Sequence, residues 1–181
     1  MFQALRSQAA LQRKASDIYG AIVTQARHPD FYGRLGVPDT PVGRYEMVVV
    51  HLFLVLERLR ADPLAADELA RALIETFVAD MDDSVREMGS GDVAVGKKVR
   101  RAAAGFYERS RDYRAGLAAR DRQELVRALA RHAYAHESAD DHGEELASYV
   151  RVASAALTRH DLTGATTEIA FPAPAAAVDL P

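Results

Sequence analysis

The sequence predicts an all-α fold: a single compact helical domain of about six helices with a flexible C-terminal tail. Three observations predict it. Apolar residues recur at helical spacing through most of residues 16–160. Cap-then-proline pairs at Thr40-Pro41 and Asp62-Pro63, and a double-glycine break at Gly89-Ser90-Gly91, divide those stretches. From Asp161 the composition turns Ala-, Pro- and Thr-rich and the helical stripe stops. At 181 residues, 49% hydrophobic and 27% charged, the chain is long enough for a real core.

Residues 1–15 are expected to be a lead-in, a short helix or a flexible stretch. Arg6, Arg13 and Lys14 stand there with no acidic residue before Asp17, so a transit peptide is conceivable, but no signal-peptide run is visible. Ser16 is read as the cap of a first helix to about His28, with Ile18, Ile22, Val23 and Ala26 on one face. The segment from Pro29 to Pro41 is a compact connector. Phe31, Tyr32, Leu35 and Val37 are too apolar for a free linker and should pack onto the body.

Thr40 caps the next helix, with Pro41 at its first position, and the helix should reach Arg60. Its centre, Met47 to Leu56, is apolar on nearly all sides, which marks the central helix. Asp62-Pro63 opens a helix from about Leu64 to Met88. Leu69, Leu73, Phe77, Met81 and Val85 form its stripe, with Thr76, Asp80, Asp83 and Glu87 on an adjoining ridge. After the hinge at Gly89 and Gly91, Val95, Val99, Ala102, Phe106, Tyr113 and Leu117 share an arc. Lys97, Arg101, Glu108 and Asp112 oppose it. Asp121 caps a helix to about His136. Asp140 or Asp141 caps the last, carrying Leu146, Tyr149, Val150, Ala153 and Leu157. The division is therefore 1–15 lead-in, 16–160 helical domain and 161–181 extended or disordered tail.

A net charge of −3 does not point to nucleic acid, and no DNA partner is expected. The absence of cysteine excludes disulfides and thiolate metal sites. The run from Met47 to Leu56 is about half a bilayer span, so no integral membrane segment is expected.

Asp80, Asp83 and Glu87 could form a metal or acid/base site. The Glu-x-x-His pairs of helical carboxylate centres are missing, which favours a solvated or docking face. His132 and His136 have zinc-binding spacing, but the intervening sequence lacks the catalytic glutamate of an HExxH motif. His51, alone in the central helix, is expected to be a hydrogen-bonded core residue. Gly91 to Lys98 imitates a phosphate loop. It ends in Lys98 rather than Ser or Thr and follows a helix rather than a strand, so nucleotide hydrolysis is rejected. An anion could still sit near Lys97, Lys98 and Arg101.

Several stretches together resemble the ubiquinol-cytochrome c chaperone family. They are Tyr19 to Arg27, Phe31-Tyr32 with Gly36 to Thr40, Gly43-Arg44-Tyr45, His51 to Leu56, Asp80 to Asp82, Arg86 to Gly89, Gly91-Asp92 and Val95 to Lys97. The resemblance covers roughly residues 16 to 115. It implies a non-enzymatic assembly factor, without cofactor, that binds newly made or unassembled cytochrome b during assembly of the bc1 complex (respiratory complex III). Mitochondrial members also work near the ribosomal exit with a small partner protein. This chain lacks their N-terminal extension, and ribosome binding is not carried over.

The expected setting is the cytoplasm of a bacterium, peripheral at the cytoplasmic face of the inner membrane. Lys97, Lys98 and Arg101 would face an anionic surface there. The expected client contacts are Asp80, Asp83, Glu87, Lys97, Lys98, Arg101, Phe106 and Tyr107, with Tyr107 favoured because it lies off the apolar arc. Two readings from other classes stand beside this. One is a metal or carboxylate enzyme using Asp80, Asp83, Glu87, His132 and His136. The other is an RNA- or anion-binding helical module using the basic turn.

Overall fold

A computed structural model describes residues 2–61, 63–87, 92–134, 140–164 and 169–174. Within these, the side chains at 2–6, 63–65, 83–87, 92–103 and 140–141 lie outside the description. The helices are α1 (Phe2–Ala26), α2 (Pro29–Gly33), α3 (Pro41–Arg60), α4 (Pro63–Glu87), α5 (Asp92–Ala118), α6 (Gln123–Ala133) and α7 (Asp140–Leu157). The described residues include no strand. Six helices are long, and α2 is a five-residue turn inside the connector.

The first helix differs from the sequence reading. α1 begins at Phe2, and Ser16 lies in its interior. The Ser16 hydroxyl donates to the Gln12 carbonyl at 2.9 Å, the back-bond of a mid-helix serine rather than a cap. Leu11, Ala15, Ile18, Ile22 and Ala26 follow one another at three- and four-residue steps and face the core, so the stripe runs on through the expected boundary.

The connector packs as expected. Phe31, Leu35 and Val37 are fully buried, and the Val37 N–H donates to the Phe31 carbonyl at 2.9 Å. Gly36 has φ +66°, and a Cβ there would stand 2.7 Å from the His142 ring, so the turn requires glycine. Thr40 caps α3: its Oγ1 accepts from the Gly43 N–H at 3.1 Å, with Pro41 next in line.

α3 is the central helix. It packs against α1, α4, α5, α6 and α7. Met47 and the run from Val49 to Val55 are buried on every side. α1 lies along α4, α5 lies against α4 and α6, and α6 lies on α7. At the start of α6, Asp121 Oδ1 accepts from the Gln123 N–H at 2.9 Å, which satisfies one orphan donor.

His51 is a core residue. Its Nδ1 lies 2.7 Å from the Met47 carbonyl and its Nε2 2.7 Å from Tyr149 Oη. A carbonyl can only accept, so Nδ1 carries the proton and Nε2 accepts from the tyrosine hydroxyl. Gln25 Nε2 then donates to Tyr149 Oη at 3.1 Å, closing a satisfied buried chain. Burial pushes His51 down to about 4, against the opposing pull of the Met47 carbonyl, so the ring is neutral at pH 7.

After Leu157 the described residues carry no helix. They lie on the body: Leu162 is buried, and Ile169 and Phe171 pack against the core. Lys14 Nζ donates to the Gly164 carbonyl.

Candidate functional site

α3, α4 and α5 enclose a groove of about 210 Å³. Phe53, Leu56, Leu59, Ala66, Ala70, Ile74 and Phe106 give it an apolar lining. Three larger hollows, about 540 Å³ beside Arg27, Tyr32 and Arg44, about 420 Å³ between α1 and α4, and about 340 Å³ between α6 and α7, are lined mainly by polar and charged side chains. The groove is the better seat for an apolar ligand because its floor gains from losing water.

Tyr107 forms the lip. It is 61% exposed, one of two large apolar side chains so exposed among the described residues. Its ring meets the buried Phe106 edge-on at 5.8 Å, and Phe106 rests on Phe77 at 5.7 Å. Tyr107 is thus an exposed aromatic surface that abuts the core. Ser110, 6% exposed, lines the groove, and its Oγ has no hydrogen-bond partner. Three of the rim charges, Glu57, Arg60 and Arg114, are grouped together. Arg114 Nε donates to Glu57 Oε1 and Oε2 at 2.9 and 3.0 Å, and Arg60 stands 3.8 Å from the same carboxylate.

A second ion pair sets the register of α5 against α3. Glu46 is 1% exposed, and Arg109 grips it with Nε at 2.9 and 2.7 Å and Nη2 at 2.6 Å. Arg109 Nη1 also donates to the Gly105 carbonyl, and its guanidinium lies 5.8 Å from the Tyr45 ring centre. Arg109 stands one turn from Phe106 and next to Ser110, so this pair positions the groove's α5 wall.

A family model described as ubiquinol-cytochrome C chaperone matches residues 33–167, well over half of the chain. The chain belongs to that family. Its fold matches the crystal structure of the Cbp3 homolog from Brucella abortus, with TM-score 0.83 and 33% identity over 97% of this chain and 98% of that one. No curated protein matches the chain. The matched residues include α3, α4 and α5, the three helices that build the groove.

The sequence-derived contacts fall unevenly on this chaperone fold. Tyr107 is exposed and lines the groove. Phe106 is 4% exposed and supports Tyr107 from below. Asp80 is exposed but also accepts from Tyr19 Oη at 2.8 Å, which ties α4 to α1. Burial, with Asp80 alongside, pushes the Tyr19 hydroxyl well above its ordinary range. Gly89 and Gly91 lie outside the described residues, between the end of α4 and the start of α5, and the rest of the phosphate-loop imitation, residues 92–98, is the first part of helix α5. The side chains of Asp83, Glu87, Lys97, Lys98 and Arg101 lie outside them as well.

His132 is drawn to Asp112: its Nε2 stands 3.1 Å from Oδ2, and Arg131 shares that oxygen at 3.0 Å. Burial alone would raise the Asp112 carboxyl. The hydrogen bonds from His132 and Arg111 outweigh it and hold the group below its usual range. His136 lies outside the described residues. Among the described residues no three histidine, aspartate or glutamate side chains gather as a metal site would need.

Proposed function

We propose that the protein is a chaperone for assembly of the ubiquinol-cytochrome c reductase (bc1) complex that holds unassembled cytochrome b by a groove on α3, α4 and α5. It works by binding rather than by bond-making. Family membership and the likeness to a Cbp3 homolog support the chaperone role. The observation that carries the surface is an exposed tyrosine, set against the buried Phe106 ring, at the lip of an apolar groove. Such a site accepts an apolar helical segment waiting for its final partners.

No described helix is long and apolar enough to cross a membrane. The basic residues Lys97, Lys98 and Arg101 of α5 would hold the chaperone at the anionic cytoplasmic face of the inner membrane, close to where the client emerges, at about 1 kcal/mol per basic side chain.

A photo-crosslinking residue at position 107 in cells is expected to capture cytochrome b. Recovery of no cytochrome b adduct, together with normal bc1 assembly in a deletion strain, would discard the proposal.

A further inference from the structure

On α1, α3 and α7, away from the groove, the chain binds a piece of itself. Phe31, His51 and Tyr149 form a cluster of rings: Phe31 meets His51 edge-on at 5.3 Å and Tyr149 at 4.9 Å. The chain after the last helix crosses this cluster. Phe171 stands edge-on to His51 at 5.0 Å and 86°. The carbonyl of the next residue, Pro172, accepts from Gln25 Nε2 at 3.0 Å. The same amide nitrogen donates to Tyr149 Oη, so one carboxamide holds both the buried pair and the crossing segment. Residues 169–173 form neither helix nor strand, and Pro174, the second proline of the segment, is buried.

These are the elements of an extended-peptide site. Prolines fix φ at about −65°, so an Ala-Phe-Pro-Ala-Pro stretch loses little conformational freedom on docking. A side-chain amide captures a proline carbonyl, and aromatic edges receive the side chain before it. The buried His51–Tyr149 pair needs no strap for its own hydrogen bonding: His51, Tyr149 and Met47 already complete each other's hydrogen bonds. The segment behaves as a ligand supplied by the chain itself.

The geometry points to a second binding site on this protein, for extended peptides with an aromatic residue followed by proline, which the segment 169–174 occupies in cis and would yield to a partner of the same chemistry. The buried Leu162 anchors the chain a few residues upstream. Such a short tether corresponds to an effective concentration of the order of 1 mM. For a trans peptide with a dissociation constant near ~0.1 mM, that competition weakens apparent binding about ten-fold.

The test uses the full chain and a labelled Ile-Ala-Phe-Pro-Ala-Pro peptide, read by fluorescence anisotropy, with helix content followed by circular dichroism. Phe171→Ala is expected to keep the helical signal and to bind the peptide about ten-fold more tightly than the unaltered chain. Adding Gln25→Ala is expected to remove most of that gain, and a peptide with alanine for phenylalanine is expected not to bind. A folded Phe171→Ala chain that binds no better than the unaltered one would overturn the inference. So would Gln25→Ala without effect. Loss of helix content in Phe171→Ala would overturn it too, by making Phe171 an ordinary core residue.

Discussion

Arg109→Ala is expected to be among the most damaging single changes in this chain. It leaves Glu46, 1% exposed, without the three charge-assisted contacts at 2.6, 2.7 and 2.9 Å that Arg109 supplies. Removing one partner of a buried pair costs about 3–5 kcal/mol, because the remaining charge is stranded. Arg109 keeps 21% of its side chain in solvent, so water can enter and screen part of the loss, which points to the low end, about 3 kcal/mol.

For a chain of this size, each kcal/mol shifts the melting temperature by roughly 2–4 °C, so the expected drop is roughly 6–12 °C. Thermal and urea unfolding followed by circular dichroism measure it. Glu46→Leu with Arg109→Met removes both charges and keeps the volume, and should recover most of the loss. A drop of less than about 1 kcal/mol for Arg109→Ala, or a double variant as unstable as the single one, would refute the reasoning.

Three further outcomes are expected. His51 falls from an ordinary 6.5 to about 4 on folding, so the folded state binds fewer protons between those values and stability rises with pH there. The stabilisation is full above pH 6.5 and fades as pH falls through 4. Two and a half pH units at about 1.36 kcal/mol each make it about 3 kcal/mol, and urea unfolding at pH 7 and 4.5 should show most of it, with a flatter slope in His51→Gln. Gly43→Ala should destabilise by about 2 kcal/mol or more, because its Cβ would stand 2.0 Å from the Pro38 carbonyl oxygen; a melting temperature within 2 °C of the parent would contradict this. Tyr107→Ala should leave stability within about 0.5 kcal/mol yet weaken cytochrome b capture by about 1–2 kcal/mol; equal capture by the variant would show that the groove lip carries no binding.

The central helix was legible because its signals are local. Thr40, Pro41 and the apolar run to Leu56 lie within seventeen positions of one another, and the cap and the burial both follow from them. The start of α1 was not, because serine favours caps and Ser16 sits at a plausible one; the continuing Leu11-Ala15 spacing was the better signal.

The groove was half legible. Tyr107 could be separated from its arc by helical phase alone. Ile74, Arg114 and Glu57 reach the same place from three helices, and phase within one helix carries no information about that. The Glu46–Arg109 pair spans 63 positions. Its only local trace is an acid just before an apolar run, which calls for a distant cation. The chain after Leu157 is poor in stripe-forming residues, yet Leu162, Ile169 and Phe171 are enough to seat it where partners wait.

α3 touches five of the other helices, so no neighbour can leave without uncovering it. Its backbone amides from Val49 to Val55 should therefore exchange with deuterated solvent only when the whole molecule opens. The wall that α3 lends to the groove is thus part of the slowest-opening kernel. A client docking there as proposed would meet a preformed anvil, and whatever adaptation the encounter demands would come from the client or from the two outer helices.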